Sequence, residues 1–171
     1  MKRSIALLFS MIFILSACSI DKNPGSTQSP GLAFSLSLDQ DTHNVGEEIL
    51  AVWELENLSE EAILVNRRLS PNAIPEFSEI DFIFVAPLAR GIHLVVDIEM
   101  RNLPEEDDFI LLDPGQIVSG YYLISRVYGP LTDPGEYSIR AIYNNHFNPP
   151  SGTPAWQDEI YSNMVLFTII P

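Results

Sequence analysis

The strongest constraint on this chain is a two-residue alternation of apolar and polar side chains, broken into short segments and repeated from Leu32 onward. Over Leu32–Leu38, the residues Leu32, Phe34, Leu36 and Leu38 point one way and Ala33, Ser35 and Ser37 the other, the signature of a half-buried strand. The same alternation predicts strands over Glu48–Glu56, with Ile49, Ala51, Trp53 and Leu55 on one face, over Ala62–Arg67, and over Glu79–Ala86, with Ile80, Phe82 and Phe84 together. A hairpin connection at Pro87–Gly91 leads to Ile92–Ile98, where Ile92, Leu94, Val96 and Ile98 share a face. Phe109–Leu112, Gln116–Leu123, Glu136–Tyr143 and Tyr161–Ile170 bring the candidates to about nine, and no stretch carries a long helical period. Asp113-Pro114-Gly115 and Asp133-Pro134-Gly135 each set Pro at the second turn position and Gly at the third, where a type II turn needs positive φ. Short strands, regular turns and no crossover helices specify an all-β fold, an antiparallel sandwich of about seven to nine strands. Residues 32–171 suffice to enclose one core between two sheets.

The segment before this pattern is different in kind. Lys2 and Arg3 precede an apolar run from Ile5 to Leu15, too short to span a bilayer but suited to the hydrophobic region of a secretory signal. The run ends in Leu15-Ser16-Ala17-Cys18, which resembles the lipobox of bacterial lipoproteins, where a diacylglyceryl group is placed on the Cys thiol before cleavage in front of it. The resemblance implies residues 1–17 as a lipoprotein signal peptide and Cys18 as the lipidated first residue, carrying two or three fatty-acyl chains such as palmitate. Two chains anchor stably where one binds reversibly. Ser19 after Cys18 implies the outer membrane in a Gram-negative host; in a Gram-positive host the same segment implies the outer face of the cytoplasmic membrane. Residues 18–31 then form the lipidated Cys and a flexible tether. Ser19–Gly31, rich in Ser, Pro and Gly, reaches at most about 45 Å extended and averages roughly 20 Å as a coil.

Composition narrows the function. The single Cys excludes an internal disulfide framework and a Cys-rich zinc site. With 9 Lys and Arg against 23 Asp and Glu, the formal charge is −14, which supplies no basic patch for nucleic acid or for anionic lipid. Without Lys2 and Arg3 the balance is more acidic still.

The stretch Asp133-Pro134-Gly135-Glu136-Tyr137-Ser138-Ile139 resembles the entry to strand F of immunoglobulin-like domains, with Ile139 where the disulfide Cys would sit. The resemblance implies Tyr137 as a corner tyrosine whose hydroxyl bonds back to nearby backbone, in a bacterial-type relative held by packing alone. Trp53 lies on an early strand and is not the counterpart of the strand C tryptophan of antibodies. More broadly, Phe109–Phe167 looks like an immunoglobulin-like module of bacterial envelope proteins. It is also similar to the β-rich region preceding deuterolysin-type metallopeptidase domains. That pattern implies a short turn or helix near Leu123–Tyr128, and a last strand introduced by Trp156 and Ser162-Asn163; Asp158 stands where the pattern has Gly.

Catalytic sets are missing from the sequence. His43, His93 and His146 are isolated and form no H-E-x-x-H, and His93 reads as a solvated strand residue opposite Leu94 and Val96. There is no G-x-S-x-G elbow and no Gly-rich phosphate loop, and a lipidated Cys18 cannot be a nucleophile. No catalytic residue, metal ligand or cofactor is therefore assigned. Two features remain open. Glu105-Glu106-Asp107-Asp108, followed by Asp113, offers hard oxygen ligands for calcium, but lacks the spacing and central Gly of an EF-hand and reads equally as a solvated connection. The long connection between Tyr143 and Ile160 holds Phe147 and Trp156, which could stack on a sugar, peptidoglycan or protein partner; the position of Trp156 beside the last strand favours a core cap. Arg67-Arg68 is expected to make surface ion pairs of little consequence.

The expectation is a monomeric, lipid-anchored, extracytoplasmic sandwich, held to the membrane through Cys18, that binds or scaffolds an envelope protein or glycan and is not an enzyme. Two alternatives come from other classes. One is a proteinase-inhibitor-like module acting through exposed loops, by analogy with a bacterial intracellular inhibitor family of comparable sandwich. The other is a hydrolase that pairs Glu105 or Asp108 with a distant Asp.

Overall fold

Alternation dictates that each strand bury one face, and the computed structural model, which describes residues 31–69, 78–86 and 102–171, satisfies this with two facing sheets. The expected signal peptide, Cys18, most of the expected tether, and the strand and hairpin expected over Pro87–Ile98 lie outside the described residues. The fold is an all-β sandwich. One sheet has the order β1-β3-β7, from Leu32–Leu38, Leu50–Asn57 and Ile117–Leu123, all antiparallel. The other has the order β2-β10-β8-β5, from Thr42–Asn44, Val165–Ile170, Gly135–Asn145 and Ile80–Val85. Strand β9 (Asp158–Tyr161) also pairs with β8, and a separate antiparallel pair joins β4 (Ile63–Asn66) to β6 (Phe109–Leu112).

The register brings the predicted faces inward. Phe34, Leu36 and Leu38 meet Leu55, Trp53 and Ala51 across β1 and β3, and Ile139, Ala141 and Tyr143 of β8 close the core from the opposite sheet. Burial of each large aliphatic or aromatic side chain stabilises the fold by about 1.5–3 kcal/mol. Trp53 needs room that its neighbour supplies: Gly120 lies directly opposite on β7, and a Cβ there would sit 2.3 Å from the indole Cζ2.

The two Pro-Gly turns diverge. Gln116 N–H donates to the Asp113 carbonyl at 2.9 Å with Gly115 at φ 75°, so the first is the expected turn. At the second, Gly135 already belongs to β8, and the Asp133 carbonyl accepts the Tyr137 hydroxyl at 2.6 Å. That bond is the one expected of a corner tyrosine. The short helix α1 (Ile124–Tyr128) occupies the predicted crossover and docks through Tyr128, whose hydroxyl donates to the Phe82 carbonyl at 2.9 Å.

Two elements depart from the sequence reading. Strand β2 is too short for its alternation to register, and it runs parallel to β10. The segment expected as one strand, Tyr161–Ile170, is cut at Ser162-Asn163. Ser162 splices the gap along β8: its N–H donates to the Ala141 carbonyl and its Oγ accepts the Ala141 N–H, both at 2.9 Å. The Asn163 amide turns to the opposite sheet, accepting the Leu36 N–H at 2.9 Å and donating to the Leu36 carbonyl at 3.0 Å. One side chain thus acts as a strand neighbour for the edge of β1 and stitches the two sheets together.

Candidate functional site

Polar side chains concentrate at the end of the sandwich where β4, β5 and β8 meet. Tyr143, inward-facing on β8 and fully buried, reaches across to β4: its hydroxyl donates to the Asn66 carbonyl at 3.1 Å and accepts the Asn66 N–H at 3.2 Å. Burial holds the Tyr143 phenol well above the usual tyrosine range, with the nearby Glu79 carboxylate adding to the effect. The Asn66 side chain continues the chain of contacts, donating to Glu79 at 3.4 Å and accepting the Arg68 N–H at 3.0 Å. Arg68 and Glu79 then form a buried ion pair.

This pair overturns the expectation of a surface role for Arg68. Glu79 is fully buried and the Arg68 side chain is only 9% exposed; Arg68 also donates to the Asn102 carbonyl at 2.8 Å and lies 3.9 Å from Asp108. Arg67 alone keeps the predicted exposure. At this end Arg68 Nε, Glu79 Oε2 and Asn144 Oδ1 are buried with no hydrogen-bond partner, as are His43 Nδ1 and Trp53 Nε1 elsewhere among the described residues. Leu69, next in the chain, is buried with φ at 32°, a conformation unfavourable for a residue with a branched side chain. The Tyr122 hydroxyl donates to the Leu69 carbonyl and so helps to hold it there.

The acidic run is drawn into the same end. Glu106–Asp108 is one 3-10 turn; Asp108 Oδ2 accepts the Glu105 N–H at 2.9 Å, and Glu106 Oε2 accepts the Ser151 N–H at 3.0 Å. These carboxylates cap backbone rather than face a common point. Among the described residues no group of three or more His, Cys, Asp or Glu side chains is placed to hold a metal ion.

The histidines stay apart. His43 is buried, its ring meeting the edge of Phe167, with Nε2 3.0 Å from the Gln40 carbonyl and 3.9 Å from Asp39. His146 is exposed, and His93 lies outside the described residues.

Trp156 is the other residue singled out in the sequence, and it closes the polar end. Its ring stacks on Tyr143 at 5.3 Å between centroids and 14° between planes. Its N–H donates to the Leu64 carbonyl at 2.8 Å, and its carbonyl accepts from Asn145 Nδ2 at 2.6 Å. Asn145 also donates to the Phe147 carbonyl at 3.0 Å, so the long connection is folded onto the core. The arrangement is that of a cap, half-buried and pinned through its own backbone.

Away from this end, an open groove of about 480 Å³ runs along the seam of β2 and β10. Asp41 and Glu136 line it together with Leu166 and Thr168. Nothing in the local sequence marks this groove, because its walls come from three separate segments. No protein-family model matches the chain, and no curated protein sequence is detectably similar to it.

Proposed function

We propose that this chain is a lipid-anchored, extracytoplasmic protein of the bacterial envelope whose immunoglobulin-like sandwich binds or scaffolds another component without catalysing a reaction. One observation carries the reading: Leu15-Ser16-Ala17-Cys18 closes a basic and apolar leader, and a Ser, Pro and Gly tether then runs directly into β1. Two acyl chains on Cys18 would hold the domain within a tether length of the bilayer, roughly 20 Å on average. The immunoglobulin-like assignment is supported by β1 and β2 contributing to opposite sheets and by the Tyr137 hydroxyl on the Asp133 carbonyl. A binding role is supported by where the reactive groups go. Glu106 and Asp108 cap backbone, Arg68 and Glu79 neutralise each other in the interior, and His43 is packed against Phe167.

The test is metabolic labelling of the full chain with an alkyne-bearing palmitate, followed by membrane fractionation. The expected result is label on the wild-type protein and its recovery with membranes, with both lost in Cys18→Ser. An unlabelled, soluble wild-type protein would overturn the anchor.

A further inference from the structure

The outer faces of the two sheets are built differently. On β1-β3-β7 the cross-strand register sets Ser35, Glu54 and Ser119 in one polar outward row, which separates the exposed Ile117 beside Glu56 from the exposed Tyr121 beside Val52. On the opposite sheet, β5 reads Phe82-Ile83-Phe84-Val85 and β10 reads Val165-Leu166-Phe167, so the alternation fails and both faces of these strands are apolar. A strand apolar on both faces is the pattern of one covered on both sides.

Register gathers those outward side chains on one face, with Ser138 and Arg140 of the central strand β8 between them. Leu166, Ser138 and Val85 form one row across β10, β8 and β5, and Ile83 lies beside Arg140 in the next. Leu166 is 72% exposed and Val85 52%. The row on the other side of Leu166 is Thr42, Thr168 and Glu136, which borders the groove that Asp41 also lines. With strands about 4.8 Å apart and same-face residues about 6.8 Å apart, this face covers roughly 300–400 Å². That is the area of a small, transient interface of mixed apolar and polar character.

Charge selects the occupant. The groove beside Leu166 presents two carboxylates, and Arg140 is already held over the Tyr161 ring at 4.6 Å with its Nε donating to the Ser162 carbonyl. A second copy would bring a chain of charge −14 and its own acidic groove against this one. An anionic bilayer is disfavoured for the same reason. We infer that the outer face of the β2-β10-β8-β5 sheet docks a protein surface of apolar side chains flanked by Lys or Arg, with one basic side chain seated in the groove between Asp41 and Glu136. Its methylene stem packs on Leu166 while its charge meets the carboxylates. The inference rests on the reading of the chain as a binding module and specifies the partner's chemistry.

The test places the photoreactive residue benzoylphenylalanine at Leu166 in the full-length protein in its native host, with a second protein carrying it at Tyr121, 69% exposed on the other sheet. Irradiation is expected to give one discrete protein adduct from position 166 and none from 121, and the cross-linked partner peptide should carry Lys or Arg among apolar residues. Adding Glu136→Lys should cut adduct yield by at least about fivefold at unchanged protein level and melting temperature, as expected for reversing a charge at an interface. If the residue at 166 unfolds the protein, Val85 on the same row takes its place. An adduct with a second copy, an adduct with lipid, a partner peptide without basic residues, equal adducts from both sheets, or no adduct would each overturn the proposal. Anchorage is read separately in the same cells by whether Cys18→Ser releases the protein from membranes. Failure of the anchor and failure of the docking face are therefore distinguishable.

Discussion

Gly120→Ala should destabilise this protein although alanine is the better strand residue. Gly120 is not among the glycines at positive φ, so its backbone accepts a side chain, and relief of glycine's entropy cost should stabilise by about 0.5–1 kcal/mol. The obstacle is Trp53. A Cβ on Gly120 would lie 2.3 Å from Cζ2 and 2.7 Å from Cε2, against a carbon contact distance of about 3.5–4 Å. The indole must retreat by about 1 Å, and it is buried in the core between the sheets. Overpacking of this kind costs about 1–3 kcal/mol, which leaves the single variant roughly 1–2 kcal/mol less stable than wild type. Trp53→Leu removes the obstacle at a cost of about 2–4 kcal/mol for the space it leaves. In that background Gly120→Ala should stabilise by about 0.5 kcal/mol, so the substitution changes sign and the coupling is about 1.5–2.5 kcal/mol. Urea unfolding of the full chain, followed by far-ultraviolet circular dichroism in a common Cys18→Ser background, measures all four corners of the cycle. A neutral Gly120→Ala, or an equal cost in both backgrounds, would refute the steric argument.

The same measurement tests two further substitutions. Arg68→Met should cost about 3–5 kcal/mol, because Glu79 is left charged and fully buried, whereas the double variant Arg68→Met with Glu79→Met should recover most of that loss. Equal losses for the single and double variants would show that apolar packing cannot replace the pair. Trp156→Ala should lower stability by about 2–3 kcal/mol through loss of its stack on Tyr143, while Trp156→Phe should retain much of it. An unchanged unfolding midpoint in Trp156→Ala would remove the cap and return that side chain to a binding role.

Strands such as β1, β3 and β8 are legible in the sequence because their alternation is long enough to fix which face is wet. Strand β2 is not, since three residues carry no period and its pairing with β10 is decided by a partner far along the chain. The corner bond of Tyr137 was readable because donor and acceptor lie four residues apart in one turn. The break at Ser162-Asn163 was visible only as a boundary: its function depends on Leu36, 127 residues away. The burial of Glu79 is not legible in the sequence for a related reason. Alternation puts it in phase with the outward Asp81, yet it precedes the strand proper and turns inward to Arg68.

By itself, the sequence determined the all-β class and the expectation of a lipid anchor, because period-two burial and a resemblance to a lipobox are both written in contiguous residues. The tertiary structure alone decided that Arg68 and Glu79 are interior, that Gly120 is a seat for Trp53, and that Leu166, Val85 and the Asp41 and Glu136 groove share one face. Each depends on cross-strand register and on how the strands come together, which place residues from distant segments side by side. A local pattern can show that a side chain turns in or out, but not which neighbour it meets there.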